Sequence, residues 1–172
     1  MSEAEEDTQR ALAYMAQFGI RPEGRIRLFY GPEHRQTSID RIPFRYPERQ
    51  VVIYETEPGE FTAVCPYSGL PDSGRVYIEY VPGSYLLELK SLKYYLISWR
   101  EIGILQEDLT ALLYEDLLRH LEDPEYLKVT TFYNVRGGIR TTCTIDSREQ
   151  ARPRTAPPTA WSEPGSPEPD PR

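Results

Sequence analysis

A thiol and a carboxylate seven residues apart, Cys65 and Asp72, bracket the stretch Cys65-Pro66-Tyr67-Ser68-Gly69-Leu70-Pro71-Asp72. Its prolines, glycine and serine predict a tight polar loop at a strand end. Such a loop exposes the sulfur instead of packing it and lets the acid fold back towards it. That pairing suits nucleophilic capture of a weak electrophile, with sulfur attacking while the acid moves the proton. An unperturbed thiol of pKa about 8.5 is only about 3% ionised at pH 7, so a nearby proton acceptor is useful. The plainer reading of Cys65 is a buried structural cysteine.

A second stretch, Glu88-Leu89-Lys90-Ser91-Leu92-Lys93-Tyr94-Tyr95, reads as a strand end running into a helix. Lysines three apart share a helical face, where Lys90 and Lys93 meet an anionic phosphate as easily as water. Glu107 opens a further helix. There a carboxylate either complements the helix dipole or, being acceptor-only, matches adjacent N–H donors of a base edge. Arg136-Gly137-Gly138 reads as a strand-linking turn, and arginine beside close-approaching glycine backbone also suits a phosphate.

The elements that hold these residues follow from periodicity. A short helix is expected from Asp7 to Phe18, ending at Gly19, then a polar approach through Pro22, Pro32, Pro43 and Pro47. Strands are expected at Gln50–Tyr54 and Phe61–Cys65. From Arg75 to Val81 the residues Val76, Ile78 and Tyr80 alternate with Arg75, Tyr77 and Glu79, as in a half-buried strand. Pro82-Gly83-Ser84 predicts a hairpin turn into Tyr85–Leu89. Helices follow at Ser91–Glu101 and Glu107–Leu121, the second with a core-packing stripe of Leu109, Leu112, Leu113, Leu117 and Leu121. Strands at Tyr126–Val135 and Ile139–Ile145 complete an antiparallel α+β pattern with two helices on one face. From Ser147 the chain is rich in Pro, Ser and Thr without apolar period, and a disordered tail is expected.

The eight residues from Glu88 to Tyr95 match, position by position, the signature of the 7-cyano-7-deazaguanine reductases, the QueF family of nitrile reductases. The Cys-Pro-x-x-Gly-x-Pro-Asp run at 65–72 resembles the same family. The resemblance spans roughly Gln50 to Asp146, leaving 1–49 as an arm and approach segment and 147–172 as the tail. It implies the tunnelling fold shared with GTP cyclohydrolase I. There subunits join edge to edge into a homo-oligomeric barrel with active sites at the interfaces. It further implies Cys65 as the thioimide nucleophile and Asp72 as proton donor and shuttle. Glu107, with Gln106 beside it, would anchor the substrate, and Leu87, Glu88 and Leu89 would make further contacts to the base. Lys90, Lys93, Arg136 and Gly137 would hold NADPH. The implied reaction reduces the free nitrile base 7-cyano-7-deazaguanine to its aminomethyl counterpart with two NADPH, in queuosine biosynthesis. Two positions depart from the family. Gln106 replaces its histidine, and glutamine hydrogen-bonds but does not titrate near neutrality. Val135 stands where a proline precedes Arg136-Gly137-Gly138.

Composition bounds the reading. The 172 residues, 39% hydrophobic and 27% charged, suit one domain with arms. The net charge of −7 includes four acids within residues 1–7. The body is therefore nearly neutral and offers no basic face for direct nucleic-acid binding. An acidic start, the lack of an 18-residue apolar run and two cysteines without secretory context predict a cytoplasmic protein with reduced thiols and no membrane span. No Gly-x-Gly-x-x-Gly or P-loop occurs, so a nicotinamide cofactor would bind without a dedicated domain. A GTP cyclohydrolase-like zinc set is not supplied by Cys65, Cys143, His34 and His120, the histidines being expected on the surface, and no metal is expected. Two rivals stay open: an amidinotransferase-type relative that forms the thioimide without hydride transfer, and a non-catalytic barrel whose proline-rich tail recruits partners.

Overall fold

Strand β4, Pro71–Val81, runs for 11 residues, about twice the usual strand length. The computed structural model describes Arg10, Ala13, Tyr14, residues 16–18 and residues 29–149. The length of β4 lets one of its edges take two partners in succession. Strand β2 (Val52–Glu55) covers its second half, from Glu55 opposite Tyr77 to Val52 opposite Tyr80. Strand β3 (Phe61–Val64) covers its first half, from Phe61 opposite Gly74 to Val64 opposite Pro71. On the other edge lies β6 (Tyr126–Tyr133), and β7 (Thr142–Asp146) pairs beyond it. Every strand-to-strand pairing in this sheet is antiparallel. Gly74 is required where β4 passes β6, because a Cβ there would collide with the Phe132 carbonyl oxygen.

The alternation expected in β4 is present: Val76, Ile78 and Tyr80 are buried and the residues between them are not. Val76, Ile78 and Tyr80 form one core with Leu127 and Val129 of β6 and with both helices. Helix α1 (Leu89–Ser98) and the 3-10 turn Trp99–Glu101 contribute Leu92, Tyr95 and Trp99. Helix α2 (Gln106–Leu121) contributes Leu109, Leu113, Leu117 and Leu121 from the expected leucine stripe. Each such side chain stabilises the fold by roughly 1.5–3 kcal/mol relative to exposure.

Towards its other end the same face turns polar. On β4 the sequence of inward positions continues from Val76 to Gly74 and Asp72, and on β6 from Val129 to Thr131 and Tyr133. The functional residues collect at this end.

Three expectations change. The turn at Pro82–Ser84 does not pair its flanks. Strand β5 (Tyr85–Leu87) instead pairs antiparallel with β1 (Arg41–Pro43), a strand inside the segment read as an irregular approach. Both edges of β4 are filled up to Tyr80 and Val81 by β2 and β6, so β5 has no open edge there. Asp123 pins the turn by accepting from the Ser84 N–H at 3.0 Å and its hydroxyl at 3.1 Å. The tail also begins later than Ser147. Ser147–Glu149 form a 3-10 turn, and the Ser147 hydroxyl accepts from the Leu127 N–H. The remaining tail and half of the predicted N-terminal helix lie outside the described residues, although Tyr14 and Phe18 are in edge contact. Finally, His120 is not a surface group. Its Nε2 accepts from the Ile39 N–H at 3.2 Å, which leaves Nδ1–H to donate to the Asp116 carbonyl at 2.7 Å.

Asp116 anchors the approach segment to the helices. Its carboxylate is fully buried and accepts from Arg35 through both oxygens, at 2.8 and 3.0 Å, and from the Tyr95 hydroxyl at 2.9 Å. Arg119 adds a second cation at 3.2 Å. A buried charge is tolerated only with this degree of compensation.

Candidate active site

Cys65 follows the last residue of β3, and its backbone closes the hairpin to β4. Its N–H donates to the Leu70 carbonyl, and its carbonyl accepts from Gly69, both at 2.9 Å. Gly69 has φ +65°, a conformation that glycine adopts without steric cost. Asp72 is not a loop residue reaching back, as expected, but a β4 residue opposite Ala63. Hairpin register therefore sets Asp72 across from a residue two positions before Cys65, at the same end of the sheet. The expected exposure of the thiol is corrected as well: Cys65 is 8% exposed and Asp72 4%. Ser68, Tyr67 and Arg136 set the electrostatic surroundings of the sulfur.

Burial pushes the Cys65 thiol up, but hydrogen bonds from the Ser68 hydroxyl and N–H, the Arg136 guanidinium and the Tyr67 N–H outweigh it, leaving the pKa below the ordinary value. Asp72 goes the other way. Its burial raises the carboxyl pKa, and Arg136 and Gln106 only partly oppose this, with Glu107 adding to the rise. The thiol and the acid are thus brought closer in proton affinity, which is what exchange of one proton between them needs. Cys143 makes the contrast. It lies on β7 opposite Thr131, and burial, then the charge of Glu107, raises its pKa. Of the two free cysteines, only Cys65 is tuned as a nucleophile.

The carboxylate is held from two sides. Gln106 Nε2 donates to Asp72 Oδ2 at 3.3 Å, and Arg136 ion-pairs with Oδ1. Oδ1 nevertheless accepts no well-aligned hydrogen bond, so it keeps a lone pair for a mobile proton. Gln106 is the first residue of the 16-residue helix α2, whose positive end favours anions at this spot. Its carbonyl accepts from Thr110 at 2.9 Å, and Thr110 meets Thr131 at 2.6 Å, which fixes the helix start against β6.

Arg136, expected at a cofactor phosphate, ion-pairs with Asp72. It heads a two-residue hairpin turn in which Arg136 and Ile139 exchange backbone hydrogen bonds at 3.0 and 2.9 Å. Gly137 and Gly138 have φ +56° and +81°, as the mirror-image hairpin turn requires. The Asn134 N–H donates to the Ser73 carbonyl and hangs this turn over the start of β4. The adjacent glycines carried a hairpin signal; nothing local announced where the arginine would point.

Most remaining candidates lie apart, although the charge of Glu107 is felt at Asp72. Lys90, Lys93 and Arg100 edge a groove of about 820 Å³ whose apolar floor includes Tyr54, Phe61 and Leu96. Neither Cys65 nor Asp72 lines it. Glu88, expected on the substrate base, caps α1 by accepting from the Lys90 and Ser91 N–H groups at 3.0 and 2.7 Å. Those bonds, the Ser91 N–H first, hold its pKa below the usual range. Leu87 is buried and Leu89 59% exposed, and Glu107 is exposed on the first turn of α2. Among the described residues no cluster of three or more His, Cys, Asp or Glu side chains could hold a metal. No helix among them is long and apolar enough to cross a membrane.

Asp72→Asn should separate stability from chemistry. A raised native carboxyl pKa means that stability is fully present below the ordinary carboxylate range and is lost as pH rises through the native value. The neutral amide escapes that loss. Urea midpoints measured from about pH 4 to about pH 7 should therefore show the variant gaining on wild type as pH rises. Thiol capture should meanwhile slow by on the order of 10²–10⁴. A variant less stable than wild type at neutral pH would contradict this account of the carboxyl.

Comparison with known proteins gives three findings. A family model described as QueF-like protein matches residues 71–152. The chain is 48% identical over 129 residues to the NADPH-dependent 7-cyano-7-deazaguanine reductases of Thermotoga petrophila and Thermotoga maritima, covering 74% of this chain and 91% of each relative. The namesake from Caldicellulosiruptor bescii is 46% identical over 65% of this chain and 85% of its own length. In structure, the chain is similar to the archaeosine synthase QueF-Like crystallised in its apo form. The TM-score is 0.51 at 27% identity, covering 60% of this chain and 96% of the other.

Proposed function

The chain belongs to the family of NADPH-dependent 7-cyano-7-deazaguanine reductases, and on that premise we propose that its Cys65 and Asp72 carry out the nitrile capture. It is an oxidoreductase acting on the nitrile base of the queuosine pathway. The observation that supports the assignment is the tight hairpin running from Cys65 back to the buried Asp72, whose Oδ2 is held by Gln106.

Asp72 Oδ1 takes the thiol proton, and the sulfur bonds to the nitrile carbon. The nitrile π pair moves to nitrogen, which receives the proton back from Asp72, closing the thioimide. Gln106 holds Oδ2 throughout and takes no proton. Sulfur released as a thiolate after reduction would find its charge received by the donors of Ser68, Tyr67 and Arg136. Glu107, exposed at the helix start, would accept from paired N–H donors of a base edge.

The groove beside α1 fits NADPH in chemistry: Lys90, Lys93 and Arg100 for phosphates over an apolar floor for a ring. When bound, NADPH supplies the two hydrides that the four-electron reduction consumes. One copy keeps this groove away from Cys65, and the sheet suggests how copies would join them. Strands β2 and β7 are its outer strands, each paired on one side only among the described residues. Edge-to-edge joining of β2 to a neighbour's β7 would set the groove, which β2 flanks, beside the neighbour's Arg136 turn. We therefore read the active form as a homo-oligomeric barrel of the tunnelling fold with sites between subunits. In this reading residues 50–146 are its catalytic unit.

The test is stoichiometry: about two NADPH oxidised per nitrile consumed, with a primary amine as product. Nitrile consumption without NADPH oxidation would instead favour nitrogen transfer, the reading that the likeness to an archaeosine synthase supports. Lys90→Ala with Lys93→Ala should raise the NADPH concentration needed by about 10–100-fold, while a stoichiometric adduct still forms on Cys65. Loss of the adduct in that double variant would show that the lysines serve capture and not the cofactor.

A further inference from the structure

We infer that the N-terminal arm is part of the active site, its Phe18 acting as a positioning residue that braces Tyr67 and thereby the turn carrying Cys65. The inference rests on Cys65 being the nucleophile. The Phe18 and Tyr67 rings are in edge contact with centroids 5.6 Å apart, and Tyr14 closes on Phe18 in the same way at 5.1 Å. Tyr67 is the second residue after Cys65. It lies inside the turn that the Cys65 N–H and carbonyl close with Leu70 and Gly69.

The arm is tied to the same corner a second time, through backbone. The Tyr30 N–H donates to the Glu101 carbonyl at 2.7 Å, and the Tyr30 carbonyl accepts from the Gly103 N–H at 2.8 Å. On the other edge of this segment, which joins the 3-10 turn to α2, the Val64 N–H donates to the Ile102 carbonyl at 2.9 Å. The Val64 carbonyl in turn accepts from the Ile104 N–H at 3.1 Å. Tyr30 of the arm and the residue before Cys65 thus flank one extended segment, each running parallel to it. The buried Phe29 ring lies against Gly103 at its centre.

Tyr14 extends the brace to α2. It stands four residues before Phe18, on the same helix face, and is half-buried. Burial, then Asp108 with Tyr67 and Glu33, raises its phenol pKa. Asp108 lies on the first turn of α2, two residues after the Gln106 that holds Asp72. The arm therefore reaches both the turn of the thiol and the helix start that fixes the acid. Tyr67 is still 50% exposed with Phe18 against it, so this ring contact is a main restraint on a turn that a glycine leaves pliable. Such a pair is worth more than its buried area, and a nucleophile displaced by about 1 Å loses up to about 10²-fold in rate. Loosening the turn would also open a sulfur that is now only 8% exposed.

The experiment compares wild type, Phe18→Ala, Phe18→Trp and Tyr67→Ala in the full chain. Capture of 7-cyano-7-deazaguanine without NADPH is followed by mass spectrometry over a range of nitrile concentrations. Iodoacetamide alkylation without nitrile is followed by peptide mapping, which separates Cys65 from Cys143. Phe18→Ala should slow the maximal capture rate about 3–10-fold and speed Cys65 alkylation by a similar factor, with Cys143 unchanged. Phe18→Trp should keep the wild-type values of both. The double variant Phe18→Ala with Tyr67→Ala should capture no more slowly than Tyr67→Ala alone, since the two side chains act through one contact. An unchanged maximal capture rate in Phe18→Ala overturns the proposal, whether or not a higher nitrile concentration is needed. Equal acceleration at both cysteines overturns it as well, because that marks a general loosening of the fold. If the wild-type protein forms no adduct, the proposed function fails, and Cys65 alkylation in Phe18→Ala then judges the brace by itself.

Discussion

Cys65→Ala should abolish nitrile-dependent NADPH oxidation, to below about one part in 10⁴ of the wild-type rate, leaving the fold intact. Covalent capture divides a difficult reduction into easier steps, and no neighbouring group can take the place of the sulfur. Cys143 is the other thiol, but its pKa is raised by burial, and Ser68 has a hydroxyl without a base of its own. The side chain being replaced is small and stands next to a polar cluster, so the cavity left costs about 1 kcal/mol. Steady-state turnover and a urea unfolding curve on the same preparation check both halves. Residual activity above a few per cent would remove Cys65 from the chemistry.

Arg35→Met should be the most damaging change to the fold, by about 3–5 kcal/mol. The Asp116 carboxylate that it pairs with is fully buried, and the loss leaves that charge with Tyr95 and with an Arg119 whose side chain is 59% exposed. For a body of this size the thermal midpoint should fall by about 10 °C or more. The double variant Arg35→Met with Asp116→Asn should recover much of the loss, because both charges leave together. A single variant within about 0.5 kcal/mol of wild type would mean that the pair does not anchor the approach segment. Since Arg35 is remote from Cys65 in the contacts described, the folded fraction of the variant should still capture the nitrile.

How much of this could be read from sequence depends on whether the cause is local. The alternation of β4 and the leucine stripe of α2 are local periodicities, and both appear as expected. The return of the chain between Cys65 and Asp72 was likewise legible, since two strands closed by a glycine-containing turn must double back. Their burial was not legible, because Gln106 and Arg136, which hold Asp72, arrive on the start of α2 and on a turn after β6. Strand β1 was missed for a different reason: Arg41-Ile42-Pro43 is too short to show a period, and its pairing with β5 follows from β4 having no free edge. Gln106 stood out only as a departure from a family pattern. Its hydrogen bond to Asp72 needed the helix start to be placed against β4, which propensity does not supply. The lysines were found by their spacing, yet their separation from the thiol within one chain is a property of the tertiary fold, and the proposed assembly follows from it.

The most direct test of the central claim is to incubate the purified protein with 7-cyano-7-deazaguanine in the absence of NADPH and map any covalent product by peptide mass spectrometry. The account predicts one nitrile per chain, on the peptide containing Cys65, lost when NADPH is added. An unmodified Cys65, or modification of Cys143 in its place, would contradict it.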